Sequence, residues 1–78
     1  MNDELRLDFP LEQLYPIKDH PELSLRLTVG KSKESYWVEA DLISNEGQKI
    51  IHHFGVRQNI DNFHDAIQSG LFLYESVK

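Results

Sequence analysis

Two carboxylates and an imidazole are placed where a pair of β-strands can bring them together. Glu39 and Asp41 are two residues apart, which puts their side chains on one face of an extended strand. The strand pairing predicted below sets His53 across from Glu39, with Asp41 one step along the same face. Such a trio can hold zinc or manganese. Arg26 falls in the same row and competes for the carboxylate, so we interpret the row as a structural cross-strand ion pair and predict no metal and no cofactor.

Catalytic chemistry has little support elsewhere in the chain. The sequence contains no nucleophile motif, no glycine-rich phosphate loop and no cysteine. His52 is expected on the core face of its strand, buried and hydrogen-bonded beside the small Ala40. A chain of 78 residues can hardly enclose a substrate pocket alone. We therefore predict that the protein is not an enzyme.

A second polar cluster is predicted at one end of the sheet. Lys31 and Lys33 lie in a turn, and Arg57 follows the third predicted strand, near the start of the final helix. Cationic side chains beside the unpaired amides of a helix N-terminus can contact an anion. Three cations are few, however, and ordinary solvated side chains are the favoured interpretation.

Alternating apolar residues predict the sheet that carries these groups. Residues 23–29, 36–43 and 50–56 each alternate side chains in the pattern of half-buried strands. Asn45 and Gly47 suit a hairpin connection between the second and third strands. The prediction is an α+β fold, in which a C-terminal amphipathic helix packs on one face of a three-stranded antiparallel meander.

Side-chain alternation also restricts how the predicted strands pair, because a shift by one residue exchanges the two faces. We predict that Val29 lies opposite Tyr36 and that Leu42 lies opposite Ile50. This register fills one face with apolar rows, and His52 is the one polar side chain among them.

The final helix is predicted to begin after Asn59, a good N-cap residue. Apolar residues then recur at spacings of three and four, as in an amphipathic helix. Gly70 weakens the helix by about 1 kcal/mol relative to alanine and is predicted to mark its closest approach to the sheet. The apolar stripe consists of Ile60, Phe63, Ile67, Leu71 and Tyr74, widened by Ala66, Gly70, Leu73 and Val77.

Residues 1–22 are predicted to form an N-terminal leader, and residues 23–78 the βββα core. Residues 5–9 alternate like a short strand, and residues 10–15 read as one or two helical turns bounded by prolines. The predicted order is therefore α-β-β-β-α. The leader is expected to pack on the core or to swap onto a second chain.

The order of a leader helix, three antiparallel strands and a long C-terminal helix resembles the double-stranded-RNA-binding domain over most of the chain. That family contacts phosphates through lysines in the first turn of its last helix and through its first strand–strand loop. The loop here carries Lys31 and Lys33, but residues 60–64 at the helix start contain no lysine. The resemblance therefore implies a shared topology and not RNA binding.

Apolar side chains that remain after the core is filled indicate a protein interface. Trp37, Ile43 and Ile51 fall on the outer face of the predicted sheet, where Trp37 lies over Gly55. Phe72 lies on the outer face of the helix. Tryptophan is over-represented among residues that dominate binding at interfaces. The alternative is that the leader covers the sheet residues and that Phe72 is a tolerated exposed aromatic.

Charge and hydropathy restrict the partners. The formal net charge is −5, and residues 1–22 carry six acidic side chains against two basic ones. This acidity argues against broad binding to nucleic acid or anionic lipid. No apolar segment approaches the roughly 20 residues of a membrane span, and no signal peptide is evident. A cytoplasmic location without a membrane partner is expected.

These observations together predict a small protein-interaction or regulatory module. It is expected to form a homodimer and to bind itself or another protein through the outer sheet face. The alternative is a nucleic-acid-associated module that uses Lys31, Lys33 and Arg57. A variant of this alternative is an acidic mimic of nucleic acid that uses the leader and the helix.

Overall fold

A computed structural model describes residues 9–76, which form a four-stranded antiparallel sheet and one C-terminal helix. The strand order is β1-β2-β3-β4, so each strand pairs with its neighbour in the chain. The predicted α+β class and meander are confirmed, but the prediction of three strands is wrong. The elements are β1 (Leu11–Ile17), β2 (His20–Ser32), β3 (Ser35–Ser44), β4 (Ile50–Ile60) and α1 (Phe63–Glu75).

The extra strand, β1, replaces the helical turns predicted for residues 10–15. It pairs with β2 of the same chain, from Leu11 opposite Val29 to Pro16 opposite Ser24. Because this segment is a strand, the leader helix on which the resemblance to the double-stranded-RNA-binding domain rested is not formed there. The strand predicted over residues 5–9 lies almost entirely outside the described residues.

The helix defines two faces of the sheet. The inner face packs against α1, and its buried side chains come from alternate positions of β2 and β3. The outer face carries the side chains between them. The inner core consists of Leu25, Leu27, Val29, Val38 and Ala40 from the sheet, with Ala66 and Leu73 from the helix.

The register between β2 and β3 differs from the prediction by two residues. Val29 lies opposite Val38 rather than Tyr36, and Leu27 lies opposite Ala40. A shift by two keeps every side chain on its predicted face. The shift changes only which residues are neighbours, and that change decides the geometry of the outer face.

Three irregularities in β4 alter its faces more strongly. At each irregularity, β4 has one residue more than the paired stretch of β3. The extra residues are Ile51, Phe54 and one of residues 58–59. The irregularities are β-bulges, and Gly55 (φ 146°) and Asn59 (φ 61°) have positive φ angles beside two of them. Each extra residue reverses the alternation, so Val56 lies opposite Glu39 on the outer face although the inner face was predicted for it.

The helix begins three residues later than predicted. Its N-cap is Asn62, whose Oδ1 accepts a hydrogen bond from the backbone N–H of Asp65 (2.8 Å). Asn59 is instead a residue of β4, so its assignment as the N-cap is wrong. Within the described residues the chain contains no helix long and apolar enough to cross a membrane.

The helix crosses the sheet at Gly70, as predicted. A Cβ atom at this position would lie 2.9 Å from Cδ2 of Leu27 and 2.9 Å from Cγ2 of Val38. Both neighbours are fully buried. Gly70 therefore allows the backbone of α1 to approach the two central strands.

Trp37 lies over a glycine on the outer face, but the glycine is Gly30 of β2 and not Gly55. The two residues are cross-strand partners. A Cβ atom at Gly30 would overlap the indole ring. The half-buried indole thus occupies the space that a larger side chain would take.

Gly30→Ala is therefore expected to displace the indole and to lower the free energy of unfolding by about 1–3 kcal/mol, as overpacking does. Chemical unfolding measures the loss, and a red shift of the tryptophan fluorescence reports greater exposure to water. Ser32→Ala, at the exposed end of the same strand, is the control and should change stability by less than about 0.5 kcal/mol. An unchanged spectrum in Gly30→Ala would contradict the contact.

Candidate functional site

The outer face has one row of side chains that brings opposite charges together. Leu14, Arg26, Asp41 and His53 are successive cross-strand partners on β1, β2, β3 and β4. We call them the Asp41 row. The sequence placed Glu39 at the centre of this row, and the shift in register puts Asp41 there instead.

Asp41 is the buried centre of the row, with no exposed surface. Its Oδ1 accepts a hydrogen bond from Nδ1 of His53 at 2.7 Å. Its Oδ2 lies 3.4 Å from Nη2 of Arg26. The two carboxylate oxygens therefore face different partners. His53 is half exposed, whereas the side chain of Arg26 is 17% exposed.

Glu39 and Glu12 flank the row. Oε2 of Glu39 lies 3.4 Å from Nδ1 of His53, so two carboxylates face one imidazole nitrogen. Oε2 of Glu12 lies 3.9 Å from Nη1 of Arg26. Within residues 9–76, Nε of Arg26 is buried and lacks a hydrogen-bond partner. Three carboxylates thus share one guanidinium and one imidazole.

This crowding raises two pKa values. The pKa of Glu39 is raised from its ordinary value of 4.5, mainly by desolvation and then by the charge of Asp41, whereas His53 and Arg26 lower it. The pKa of His53 is raised from 6.5, mainly by its hydrogen bond to Asp41. Desolvation opposes the shift of His53, and the charges of Asp41 and Glu39 add to it.

The raised pKa of His53 predicts a pH dependence of stability. Because the folded state binds the proton more tightly, the stabilisation is fully present below pH 6.5 and is lost as the pH rises through the folded pKa. The free energy of unfolding is therefore expected to decrease between about pH 6 and pH 8. Chemical unfolding in the presence of a chelator measures this, with His53→Gln as the control that lacks the step. A greater stability at the higher pH in the wild type relative to this control would contradict the prediction.

The trio that the sequence identified as a candidate metal-binding group is assembled in the structure. One ligand atom each from Glu39, Asp41 and His53 lie within 4.8 Å of one another. Arg26 contacts Oδ2 of Asp41 at 3.4 Å, whereas the hydrogen bond from His53 goes to Oδ1. The competition expected from Arg26 therefore does not involve the oxygen that faces the imidazole.

Large apolar side chains surround the charged groups on the outer face. Leu14 is 49% exposed, Ile50 is 53% exposed and Val56 is 44% exposed. Each belongs to a different cross-strand row of the outer face. None of these three residues was predicted from the sequence on the exposed outer face. Gly55 is the sequence feature that could have indicated the outer face for Val56, because glycine favours β-bulges.

The four predicted interface residues lie in different environments. Trp37 is half-buried against Gly30. Ile43 is fully buried, so it offers no surface to a partner. Ile51 is exposed at a bulge, and Phe72 is exposed on the helix. Because the helix covers the inner face, Phe72 does not share a surface with Trp37.

The predicted anion-contact residues are all exposed. Nζ of Lys31 lies 5.5 Å from the centroid of the Tyr36 ring, and the guanidinium of Arg57 lies 5.9 Å from that of Phe72. Lys31 and Arg57 therefore lie over different aromatic rings. The anion contact of Lys31, Lys33 and Arg57 remains a prediction.

His52 differs from its expected environment. It is exposed rather than buried, and its ring packs edge-on against Phe54 with 4.8 Å between centroids. The reason is that His52 lies on β4, an edge strand of the described sheet. The prediction of a buried, hydrogen-bonded His52 is wrong.

Comparison of the chain with protein-family models, curated proteins and solved structures found no match.

Proposed function

We propose that the protein is a small protein-interaction module that binds a partner protein through the outer face of its sheet. The observation that carries this proposal is the exposure of Leu14, Ile50 and Val56 on the face opposite the helix. Apolar side chains beside charged ones are typical of surfaces that become partly buried on binding.

The edges of the described sheet are poor sites for pairing with another chain. β1 contains Pro16, which donates no backbone hydrogen bond. β4 contains three bulges, which bend a strand and interrupt its ladder of backbone groups. Proline and bulges are two devices by which natural sheets avoid edge-to-edge contact. These features favour binding through the face.

The charge of the outer face favours a basic partner. Glu12, Glu39 and Asp41 lie there against Arg26 and the imidazole of His53. The whole chain is also acidic, with a formal net charge of −5. Two copies of this face would repel each other, whereas a surface with lysine or arginine beside apolar side chains would complement it. The homodimer expected from the sequence remains a prediction, and we do not assign it to this face.

The area of the face sets the expected affinity. Four strands about 4.8 Å apart and five residues of about 3.4 Å each give a surface of roughly 19 by 17 Å. This is at most about 300 Å² per partner, because Asp41 and Ile43 on this face are buried, and it is well below the approximately 800 Å² of a stable complex. We therefore expect transient binding, with a Kd in the micromolar range.

Site-specific photo-cross-linking in cells of the source organism tests the proposal. A photoreactive phenylalanine analogue replaces Val56 on the outer face or, as the matched control, the exposed Gln68 on the helix. We expect a dominant adduct with one basic protein at position 56 and not at position 68. The purified pair should then bind with an affinity that falls as salt is raised.

A charged substitution separates this outcome from non-specific contact. Leu14→Lys lies on the same face, where it removes an apolar contact and repels a basic partner, so it should abolish the adduct at position 56 while leaving the fold intact. An adduct made only with a second copy would replace the proposed partner by a homodimer. Equal cross-linking at both positions, or none at position 56, would contradict the proposal.

A further inference from the structure

The outer face carries a set of side chains with the chemistry of a transition-metal site. Glu39 and Asp41 supply carboxylate oxygens, and His53 supplies an imidazole nitrogen. Oxygen and imidazole ligands together suit zinc and manganese, whereas calcium and magnesium prefer oxygen ligands alone. The set therefore differs from an ordinary group of surface acids.

The set is already held together by one hydrogen bond and one ion pair to the same imidazole nitrogen. Nδ1 of His53 lies 2.7 Å from Oδ1 of Asp41 and 3.4 Å from Oε2 of Glu39. One nitrogen thus faces two carboxylates. A metal ion about 2.1 Å from each ligand atom would replace the proton between His53 and Asp41, with the partly exposed side chains of His53 and Glu39 adjusting around the buried Asp41.

Arg26 is placed to hold the Asp41 carboxylate in one orientation. It approaches Oδ2 of Asp41 at 3.4 Å and leaves Oδ1 to the imidazole. Carboxylates that bind metals are commonly held in this way by a second polar partner. Asp41 is fully buried, so its position is set before any ion arrives.

The site is also open to solvent on one side. The side chains of His53 and Glu39 are 51% and 33% exposed. An ion can therefore enter without unfolding the sheet, and water can complete its coordination.

We infer that Glu39, Asp41 and His53 form a binding site for a divalent transition metal, with zinc as the favoured ion. Zinc is favoured because it binds such mixed ligands more tightly than manganese does. In the metal-bound state Nδ1 of His53 is deprotonated and the ring carries its proton on Nε2. This inference does not rest on the proposed partner binding, but the two share the outer face, and a bound zinc ion would offset the negative charge that favours a basic partner.

Zinc titration of the chelator-treated, purified full chain tests the inference, with zinc chloride as the probe and calorimetry as the readout. We expect one zinc ion per chain with a Kd on the order of 10 µM at pH 7.5. His53→Gln and Glu39→Gln should each weaken binding at least about tenfold. These two partly exposed residues are chosen because an Asp41 variant loses stability.

His52→Gln is the matched control, since His52 neighbours His53 on the same strand and points to the other face. Its affinity for zinc should equal that of the wild type. Nitrogen NMR provides a second readout, in which zinc should shift the Nδ1 resonance of His53 and not that of His52. No binding at 1 mM zinc would overturn the inference, as would an equal loss of affinity in the two histidine variants.

Discussion

Asp41→Leu is expected to lose about 3 kcal/mol of unfolding free energy, although the substitution adds apolar volume to a buried position. Asp41 is fully buried, and the side chain of Arg26 beside it is 17% exposed. Removing one member of a buried ion pair leaves the other charge uncompensated, at a cost of about 3–5 kcal/mol. The lower end applies because Arg26 retains some solvent and Glu12 at 3.9 Å.

A double substitution shows whether the loss comes from the unpaired charge. Arg26→Met combined with Asp41→Leu replaces the pair by apolar side chains of similar size, which is often neutral. We expect the double variant to recover most of the loss, as measured by chemical unfolding in a double-mutant cycle. Glu12→Gln, on the exposed flank, is the control and should change stability by less than about 0.5 kcal/mol. A double variant as unstable as the single one would contradict this interpretation.

The second large effect is expected at Gly70. Its missing Cβ would lie 2.9 Å from the side chains of Leu27 and Val38, both of which are fully buried. Gly70→Val is therefore expected to lose about 3 kcal/mol by overpacking. Gly70→Ala gains about 1 kcal/mol of helix propensity and is expected to lose only about 1 kcal/mol in total.

Chemical unfolding at low temperature measures both losses, because a chain of this length has a total stability of only about 4–12 kcal/mol. Gln68→Ala, on the exposed side of the same helix, is the control and should be neutral or slightly stabilising. A Gly70→Val variant with wild-type stability would show that the helix does not cross the sheet at this residue.

The packing of the helix on the inner face of the sheet was predictable because the sequence patterns that indicate it are local. Alternation along residues 23–29 and the stripe that includes Ala66 and Leu73 each identify one buried face. Gly70 was identified as the crossing point because a glycine in the middle of a helix weakens the helix and usually has a packing role. The faces of β2 and β3 were correct even though their register was wrong by two residues, since a shift by two preserves the faces.

The first strand was missed because its sequence fits two patterns. Leu11, Leu14 and Tyr15 have helical spacing, whereas Leu11, Gln13, Tyr15 and Ile17 alternate like a strand. A segment of seven residues is too short for its periodicity to decide. Pairing with β2 decides instead. The backbone N–H and C=O groups along this side of β2 would be left unpaired if residues 11–17 formed a helix. Pro16 is compatible with an edge strand.

The outer face could be predicted only in part. The sequence identified Glu39, Asp41, His53 and Arg26 as one group, and the structure places them together. It did not reveal which carboxylate lies opposite His53, because that depends on strand register. The bulges in β4 also move Val56 from its predicted inner face to the outer face, and the positions of these bulges depend on backbone conformation more than on hydropathy.

The outer face is available for binding only if its exposed apolar side chains are not required for folding. The stability of Val56→Thr measures this most directly when it is compared with Val38→Thr, the same change at a fully buried position. Val56→Thr is expected to lose less than about 0.5 kcal/mol, and Val38→Thr about 2 kcal/mol because it buries a hydroxyl group. A loss at Val56 as large as that at Val38 would show that this face is part of the core, which would contradict its role as a binding surface.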